Sequence, residues 1–470
     1  MSQLLLSWTV DPTQMLMGLL VGVVVLILLV TMSKLPAFVA IIISAMLVAL
    51  IGGVPGGEIP GIISAGFGGT LGTIGIIIGF GVIMGKIFEV SGAAEKMART
   101  FIKLFGKGRE ELALTLTGFI VSIPIFCDSA FVILFPITKA ISQKTRKNLV
   151  VLAGALAMGL VITHTMVPPT PGPLAVADAF GVNLGTMIIW GIVVAIPMTI
   201  AGIVYIKWVG KNLIIVPDEN GQLVKLDVAD KNILDFDLSE EPSRKLPNVW
   251  MAFAPIFVPI LLIVLNQVLA AAFDLSTFWA NVLGFVGHPI PAVAIGVVIA
   301  IYGLGFNLNR EDALNIMDKG IRSAGVILLV TGAGGALGRV IQVTGVGNTI
   351  ADGIANWGIP ALLVPFLIAT IIRFIQGSGT VSLVTAASIS APILVPLGIN
   401  PVFGALAAMV GGIFFGYFND SYFHVVNRSI GITYSKDQLK FWSGATTAAW
   451  AAGIITVLIL NAFLGNVVGV

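Results

Sequence analysis

Residues 121–130 read VSIPIFCDSA and lie in the middle of one apolar stretch, residues 111–138, that decides how this chain folds. Basic residues flank that stretch on both sides, five of them in residues 96–109 and four in residues 139–147. Lys and Arg accumulate on the cytoplasmic side of membrane proteins, so both flanks are predicted to be cytoplasmic. A single crossing would separate the flanks. The sequence therefore predicts a re-entrant hairpin that breaks near Pro124 and returns, with its tip buried in protein or lining a cavity.

The composition excludes a water-soluble enzyme. Hydrophobic residues make up 57% of the 470 positions and charged residues only 10%, whereas soluble domains carry about 25% charged residues. The net charge of +2 and the lack of a basic run give no reason to expect a nucleic-acid partner. Cys127 is the single cysteine, and the three histidines are widely spaced, so neither a metal site nor a cofactor is predicted. The chain contains no phosphate-binding loop, which favours an ion gradient as the energy source.

Apolar runs divide the chain into two similar halves, and we expect an all-α polytopic membrane protein with about five transmembrane helices and one hairpin in each half. The first repeat is predicted over residues 1–210, with its hairpin at 111–138. A solvated cytoplasmic linker is expected at 211–248, and the second repeat at 249–470, with its hairpin at 360–398. Loops 54–71 and 169–184 contain no Lys or Arg and are predicted to lie outside, whereas 306–322 and 425–440 are predicted to lie inside. The apolar runs 148–168 and 401–424 are each predicted to form one span.

The two halves also resemble each other in sequence. GVIMGKIFEVSG at residues 81–92 matches GGALGRVIQVTG at residues 334–345 in its small, basic and polar positions. By the distribution of Lys and Arg, the first copy runs from outside to inside and the second in the opposite direction. Inverted repeats with broken helices are typical of secondary transporters, whose substrate sites lie near the middle of the membrane.

Two candidate groups of site residues lie in the first half. Asp128 could bind a proton or a substrate hydroxyl, or it could simply cap the second arm of the hairpin. His164 could bind a carboxylate or titrate, or it could be an interfacial histidine. The full candidate set in this half is Cys127, Asp128, Ser129, Thr163, His164, Thr165, Pro169, Thr170 and Gly172.

Two further groups lie in the second half. The glycine-rich tip beside Arg373 offers backbone N–H groups to an anion, and Arg373 could bind a carboxylate or pair with Asp128 or Asp420. Asp420 and His424 are proton-coupling candidates together with Asp128 and His164, with a polar tie between helices as the alternative. The candidates in this half are Arg373, Gln376, Gly377, Ser378, Gly379, Thr380, Asn419, Asp420, Ser421 and His424.

Several motifs resemble the gluconate permease family, which also includes D-serine, idonate, fructuronate and glycerate transporters. The resemblance runs nearly end to end, and its most specific element is a proline-rich stretch after Thr163 and His164. The matching motifs are GGTLG at 68–72, VSGAAE at 90–95, THTMVPPTPGP at 163–173, GSGTV at 377–381 and NDS at 419–421.

The resemblance implies proton symport of a sugar acid or a related hydroxy or amino acid. It also implies the inverted-repeat ion-transporter fold, a homodimer with an elevator-like moving domain, and a site built from residues 127–129, 163–172, 377–380 and 419–421. Two positions depart from the family pattern: members have Phe-Glu-Val where this chain has Cys127-Asp128-Ser129, and often His where it has Thr170. Both departures lie at the predicted site, so the identity of the substrate stays open.

The sequence therefore favours import of gluconate or a related sugar acid across the bacterial inner membrane, coupled to protons. The alternatives are a transporter of a small amino or hydroxy acid such as D-serine or glycerate, a sodium-coupled carboxylate transporter, and a passive anion channel. A membrane-embedded enzyme ranks last, because no nucleophile–base or metal motif supports one. The expected partners are a small organic anion, a coupling ion and the lipid bilayer.

Overall fold

The computed structural model describes residues 11–105, 108–218, 222–226, 246–272, 277–305, 308–344 and 360–467. Helices dominate both halves of the chain. In the first half they are α1 Pro12–Met32, α2 Ala37–Ile51, α3 Ile59–Ser91, α4 Ala93–Phe105, α5 Glu110–Val121, α6 Cys127–Thr145, α7 Leu149–Met166, α8 Pro171–Ala179 and α9 Leu184–Gly210.

The second half contains two short π-helical segments among its helices. Ala300–Leu304 continues α12, and Leu439–Ser443 joins the last two helices. The helices of this half are α10 Val249–Ala272, α11 Thr277–Val286, α12 Pro289–Ile299, α13 Arg310–Thr344, α14 Leu363–Gln376, α15 Gly379–Leu394, α16 Pro401–Gly411, α17 Ser421–Ile430, α18 Ser435–Gln438 and α19 Gly444–Leu464.

The predicted fold class, a helical polytopic membrane protein, is confirmed. Within the described residues six helices are long and apolar enough to cross a membrane, or seven if the bent pair Phe278–Val286 and Pro289–Leu304 forms one span. Each half places its hairpin between an earlier group of helices and two later spans, the first of which is broken. The inverted orientation of the halves stays a prediction.

Each predicted hairpin consists of two helices joined by a short tip. In the first, α5 and α6 flank residues 122–126, where Pro124 cannot continue the helix. In the second, α14 ends at Gly377, whose φ of 85° lies in the left-handed region that glycine readily adopts, and the Ser378 hydroxyl accepts a hydrogen bond from the Val381 N–H. Local chemistry therefore determines where both hairpins break.

The proline-rich stretch after His164 lies inside a broken span, whereas the sequence predicted the end of a span and an outer loop over 169–184. α7 stops at Met166, and the chain resumes as the buried helix α8. Pro171 is the first residue of α8, a position where its missing N–H costs nothing. The apolar run 401–424, predicted as one span, is likewise broken, because α16 ends at Gly411 and α17 starts at Ser421.

A two-stranded antiparallel sheet follows α9 and was not predicted from the sequence. Strand β1, Ile214–Pro217, pairs with β2, Leu223–Leu226. The linker 211–248 was expected to be solvated, yet β1 is buried, because its β-branched residues Ile214, Ile215 and Val216 suit a packed strand. Residues 219–221 and 227–245 of that linker lie outside the described residues.

Asn148 ties the start of this sheet to the membrane helices. Its side-chain amide donates to the carbonyl oxygens of Gly210 and Leu213, both at 2.9 Å, and its Oδ1 accepts from the N–H groups of Val150 and Ile215. One side chain thus caps α7, closes the end of α9 and holds the first strand.

Asn148→Ala is expected to lower the free energy of unfolding by about 2 to 4 kcal/mol, because four hydrogen bonds worth roughly 1 kcal/mol each are lost. Thermal unfolding in detergent measures the effect. Asn183→Ala is the matched control: Asn183 caps α9 through a single bond to the Gly185 N–H, so its loss costs about 1 kcal/mol. Equal destabilisation by the two variants would contradict the role given to Asn148.

Candidate functional site

Both hairpin tips and the break in the second broken span surround one central cavity of about 360 Å³. Helices α6, α15 and α17 begin at its wall, at Cys127, Gly379 and Ser421. The first N–H groups of a helix lack intrahelical acceptors and carry a partial positive charge. Three helix starts around one cavity therefore favour a negatively charged ligand.

Among the described residues, Arg373 is the one Lys or Arg side chain that lines this cavity. Its Nη2 lies 2.6 Å from Oδ2 of Asp420, and the side chains of the pair are only 6% and 9% exposed. Nη1 donates to the carbonyl oxygen of Gly377 at the hairpin tip. The Nε atom is buried and has no hydrogen-bond partner among the described residues. Arg373 thus joins the second hairpin to the broken span and keeps one donor unused.

Asp420 also begins the helix after the break. Its Oδ1 accepts from the Tyr422 N–H at 3.0 Å, so this carboxylate both caps α17 and pairs with Arg373. Asn419 contacts the same arm of the hairpin, α14, by donating to the carbonyl oxygens of Phe374 and Ile375. The positions of the hairpin tip and the break are therefore linked by several hydrogen bonds.

Asp128 links the two halves of the chain at the cavity. Its Oδ1 accepts from the Ser421 hydroxyl at 3.3 Å, and its Oδ2 accepts from the Cys127 thiol at 3.8 Å. No basic side chain forms an ion pair with Asp128 within the part of the chain that is described. Asp128 is thus a carboxylate at the cavity without the cationic partner that Asp420 has.

Most of the residues predicted from the sequence line this cavity. They are Cys127, Asp128, His164, Thr165, Arg373, Gln376, Gly377, Ser378, Gly379, Thr380, Asn419, Asp420 and Ser421. His164 lies at the boundary with a second cavity of about 20 Å³, and its buried Nδ1 has no partner among the described residues. Their binding roles stay predictions.

Six predicted residues do not line the central cavity: Ser129, Thr163, Pro169, Thr170, Gly172 and His424. Pro169 and Thr170 line the small second cavity instead, because the break in the first span faces the tip of the first hairpin. Gly172 packs against the Leu383 side chain, and the Thr163 hydroxyl is buried. The Nε2 atom of His424 lies 2.9 Å from the carbonyl oxygen of Phe418.

Several lining residues were missed from the sequence, among them Phe126, Leu383, Gly412 and Tyr422. Phe126 and Tyr422 directly adjoin predicted residues, so the chain positions next to each break were the available signal. Leu383 lies one helical turn after Thr380 and shares its face. Gly412 gave no such signal, because the run around it reads as uniformly apolar.

Given the transport that the sequence predicts, Gly377→Ala is expected to reduce uptake at least tenfold and to destabilise the chain by about 1 to 3 kcal/mol, because a Cβ at this left-handed position would collide with the backbone of Asn419. Initial uptake rates in vesicles measure the effect. Gly398→Ala is the control: its φ of 72° is also left-handed, but nothing lies within 4 Å of the added carbon. If both variants transport equally well, the tip geometry is not required.

The chain is similar in sequence to permeases over nearly its whole length. The profile described as GntP family permease matches residues 14–463. An uncharacterized permease of Haemophilus influenzae is 45% identical, with 96% of this chain and 93% of the relative covered. A gluconate permease of Pseudomonas aeruginosa is 30% identical over 96% of this chain and 98% of its own.

A solved structure shares the fold. The YdaH transporter of Alcanivorax borkumensis superimposes with a TM-score of 0.63 at 13% identity, covering 91% of this chain and 98% of the transporter. At this identity the likeness shows the fold alone. The shared fold agrees with the helical architecture described above.

Proposed function

The chain belongs to the GntP family of permeases, and from that premise we propose that it imports gluconate or a closely related sugar acid across a bacterial inner membrane by symport with protons. Permeases move solutes rather than transform them, so no enzymatic step is involved. The similarity to a gluconate permease of Pseudomonas aeruginosa supports this class of substrate.

The observation that carries the proposal is the convergence of Arg373 and three helix starts on the central cavity. A cavity of about 360 Å³ lies within the usual range for small-molecule sites. The unused Nε of Arg373 and the N–H groups at Gly379 and Thr380 would bind the carboxylate of the substrate. Asp128, His164 and the Ser378 hydroxyl lie around the same cavity and would contact its hydroxyls.

The charges of the cavity suggest why a proton would accompany the anion. Arg373 compensates Asp420, which leaves the Asp128 carboxylate as the excess negative charge beside the ligand. An anion and an ionised Asp128 repel each other at short range. A proton on Asp128 removes this repulsion, so anion and proton bind together more favourably than either alone.

Uptake of labelled gluconate into membrane vesicles tests the proposal, with an imposed proton gradient, an imposed sodium gradient, or neither. The expected result is accumulation driven by the proton gradient and abolished by a protonophore. Competition by idonate, glycerate and D-serine ranks the possible substrates. Absence of uptake of every sugar acid under either gradient would reject the proposal. Uptake driven by the sodium gradient alone would show that sodium, and not the proton, is the coupling ion.

A further inference from the structure

A second large cavity in the described part of the chain, about 750 Å³, is separate from the central one and shares no lining residue with it. We call it the outer vestibule, because it lies at the helix ends that the sequence predicts to face outside. Helix α15 lines both spaces, the central cavity through Thr380 and Leu383 and the outer vestibule through Ser388, Ala391 and Pro392. The two cavities therefore lie at different points along one helix.

Arg339 projects into the outer vestibule and is exposed. Its stem lies directly against α3, because Gly66 lacks the side chain that would collide with the Arg339 Cβ. Close contact at a glycine is a usual way for membrane helices to approach. Arg339 is thus held at the wall of the outer vestibule.

The position of Arg339 is unusual for a cation in this chain. Of the 25 Lys and Arg residues, twenty belong to the segments 96–109, 139–147, 211–248, 306–322 and 425–440, which are predicted to be cytoplasmic, and Arg339 is not among them. Arg373 lines the central cavity. A basic residue on the outer side opposes the general distribution in membrane proteins and calls for a specific role.

Arg339 and its counterpart Lys86 in the repeated motif differ in the partners of their positive charges. In the first copy, Lys86 forms an ion pair with Glu89 at 2.8 Å. In the second copy, Arg339 donates instead to the neutral amide oxygen of Gln342 at 2.7 Å. Asp178, the one carboxylate among the lining residues, hydrogen-bonds with Thr73 and forms no ion pair with Arg339 among the described residues. No carboxylate among the described residues therefore forms an ion pair that neutralises the positive charge of Arg339.

We propose that the outer vestibule is a capture site for a small hydroxy-carboxylate, with Arg339 binding the carboxylate before the anion reaches the central cavity. Asp178 and the Ser388 hydroxyl, on other walls of the outer vestibule, would accept or donate hydrogen bonds to substrate hydroxyls. This inference rests on the proposed function, because it takes the transported anion as its ligand. An uncompensated cation in a cleft raises the local concentration and the association rate of an anion.

Uptake kinetics of Arg339→Gln at low ionic strength test the capture site. The expected result is a rise in KM of about tenfold with an unchanged maximal rate, and a smaller rise in 0.15 M salt, where the Debye length falls to about 8 Å. Arg339→Lys should keep most of the affinity. Arg322→Gln, on the same helix and paired with Asp318 at an exposed position, is the matched control and should leave KM unchanged.

Gln342→Glu provides a second variant that keeps Arg339 in place. It restores the carboxylate found in the first copy of the motif and neutralises Arg339. It should therefore raise KM, as Arg339→Gln does. A lower maximal rate with an unchanged KM in either variant, or a rise that does not depend on salt, would overturn the capture site. Failure of the wild type to take up any sugar acid would instead reject the proposed function, so the two outcomes are distinguishable.

Discussion

Arg373→Gln is expected to reduce the initial rate of sugar-acid uptake by about 100-fold or more. The substitution removes the cation that the ligand carboxylate would contact, and loss of a charge-assisted hydrogen bond together with an unpaired buried partner costs about 3 to 5 kcal/mol. It also leaves the Asp420 carboxylate buried without compensation. Uptake and thermal unfolding must therefore be measured together, because destabilisation alone could lower transport.

Arg373→Gln combined with Asp420→Asn separates these two effects. The double variant carries no buried charge at the pair, and Asn at position 420 still caps α17, since Asn is as favourable as Asp at that position. Stability should recover toward the wild-type value while uptake stays abolished. Recovery of both would show that the pair is only a polar tie between helices, the alternative that the sequence also allowed.

The helix breaks at the two hairpin tips were predictable because such breaks leave local signals, whereas the return of each hairpin to the side it enters from stays a prediction. Basic clusters before residue 111 and after residue 138 predict that the chain returns to the same side. At the second hairpin, the Gly377–Ser378 step supplies both a left-handed helix end and a side-chain cap for the next helix. Such features act over a few residues and can be read without knowing the fold.

The partner of Arg373 could not be chosen from the sequence. Asp128 and Asp420 were both available, and the pair that forms spans 47 positions of the chain. The choice depends on how α14 packs beside the second break. Aromatic stacking of Phe374 on Tyr417, with ring centroids 5.2 Å apart, helps to fix that packing and has no local signature.

The second broken span was missed because its break is apolar. Residues 412–418 read GIFFGYF, which continues the hydrophobic run of α16 although the backbone leaves the helix. The rings of Phe414 and Trp450 lie with centroids 4.8 Å apart, so tertiary packing stabilises the irregular segment. In the first broken span the prolines indicated the position of the break. They did not indicate that Pro169 and Thr170 face the smaller cavity.

Asp128→Asn is expected to abolish accumulation of substrate against its gradient while preserving exchange of labelled for unlabelled substrate. Asn keeps the size of Asp and an oxygen that accepts from the Ser421 hydroxyl, but it cannot carry a proton. With one proton per anion, a gradient of one pH unit supplies about 1.4 kcal/mol and sustains about tenfold accumulation. The variant should bring this ratio to about one.

Asp128→Glu is the matched control, because it retains a titratable carboxylate and should retain accumulation, at a reduced rate. The structural alternative makes a different prediction: Asp128 lies in the first turn of α6, where an acidic side chain stabilises the helix start by about 0.3 to 1 kcal/mol. A residue with that role alone would alter unfolding and leave the accumulation ratio intact. Tenfold accumulation by Asp128→Asn would therefore assign the proton to another group. His164 would be the next to replace, because it lines the same cavity and its buried Nδ1 has no partner among the described residues.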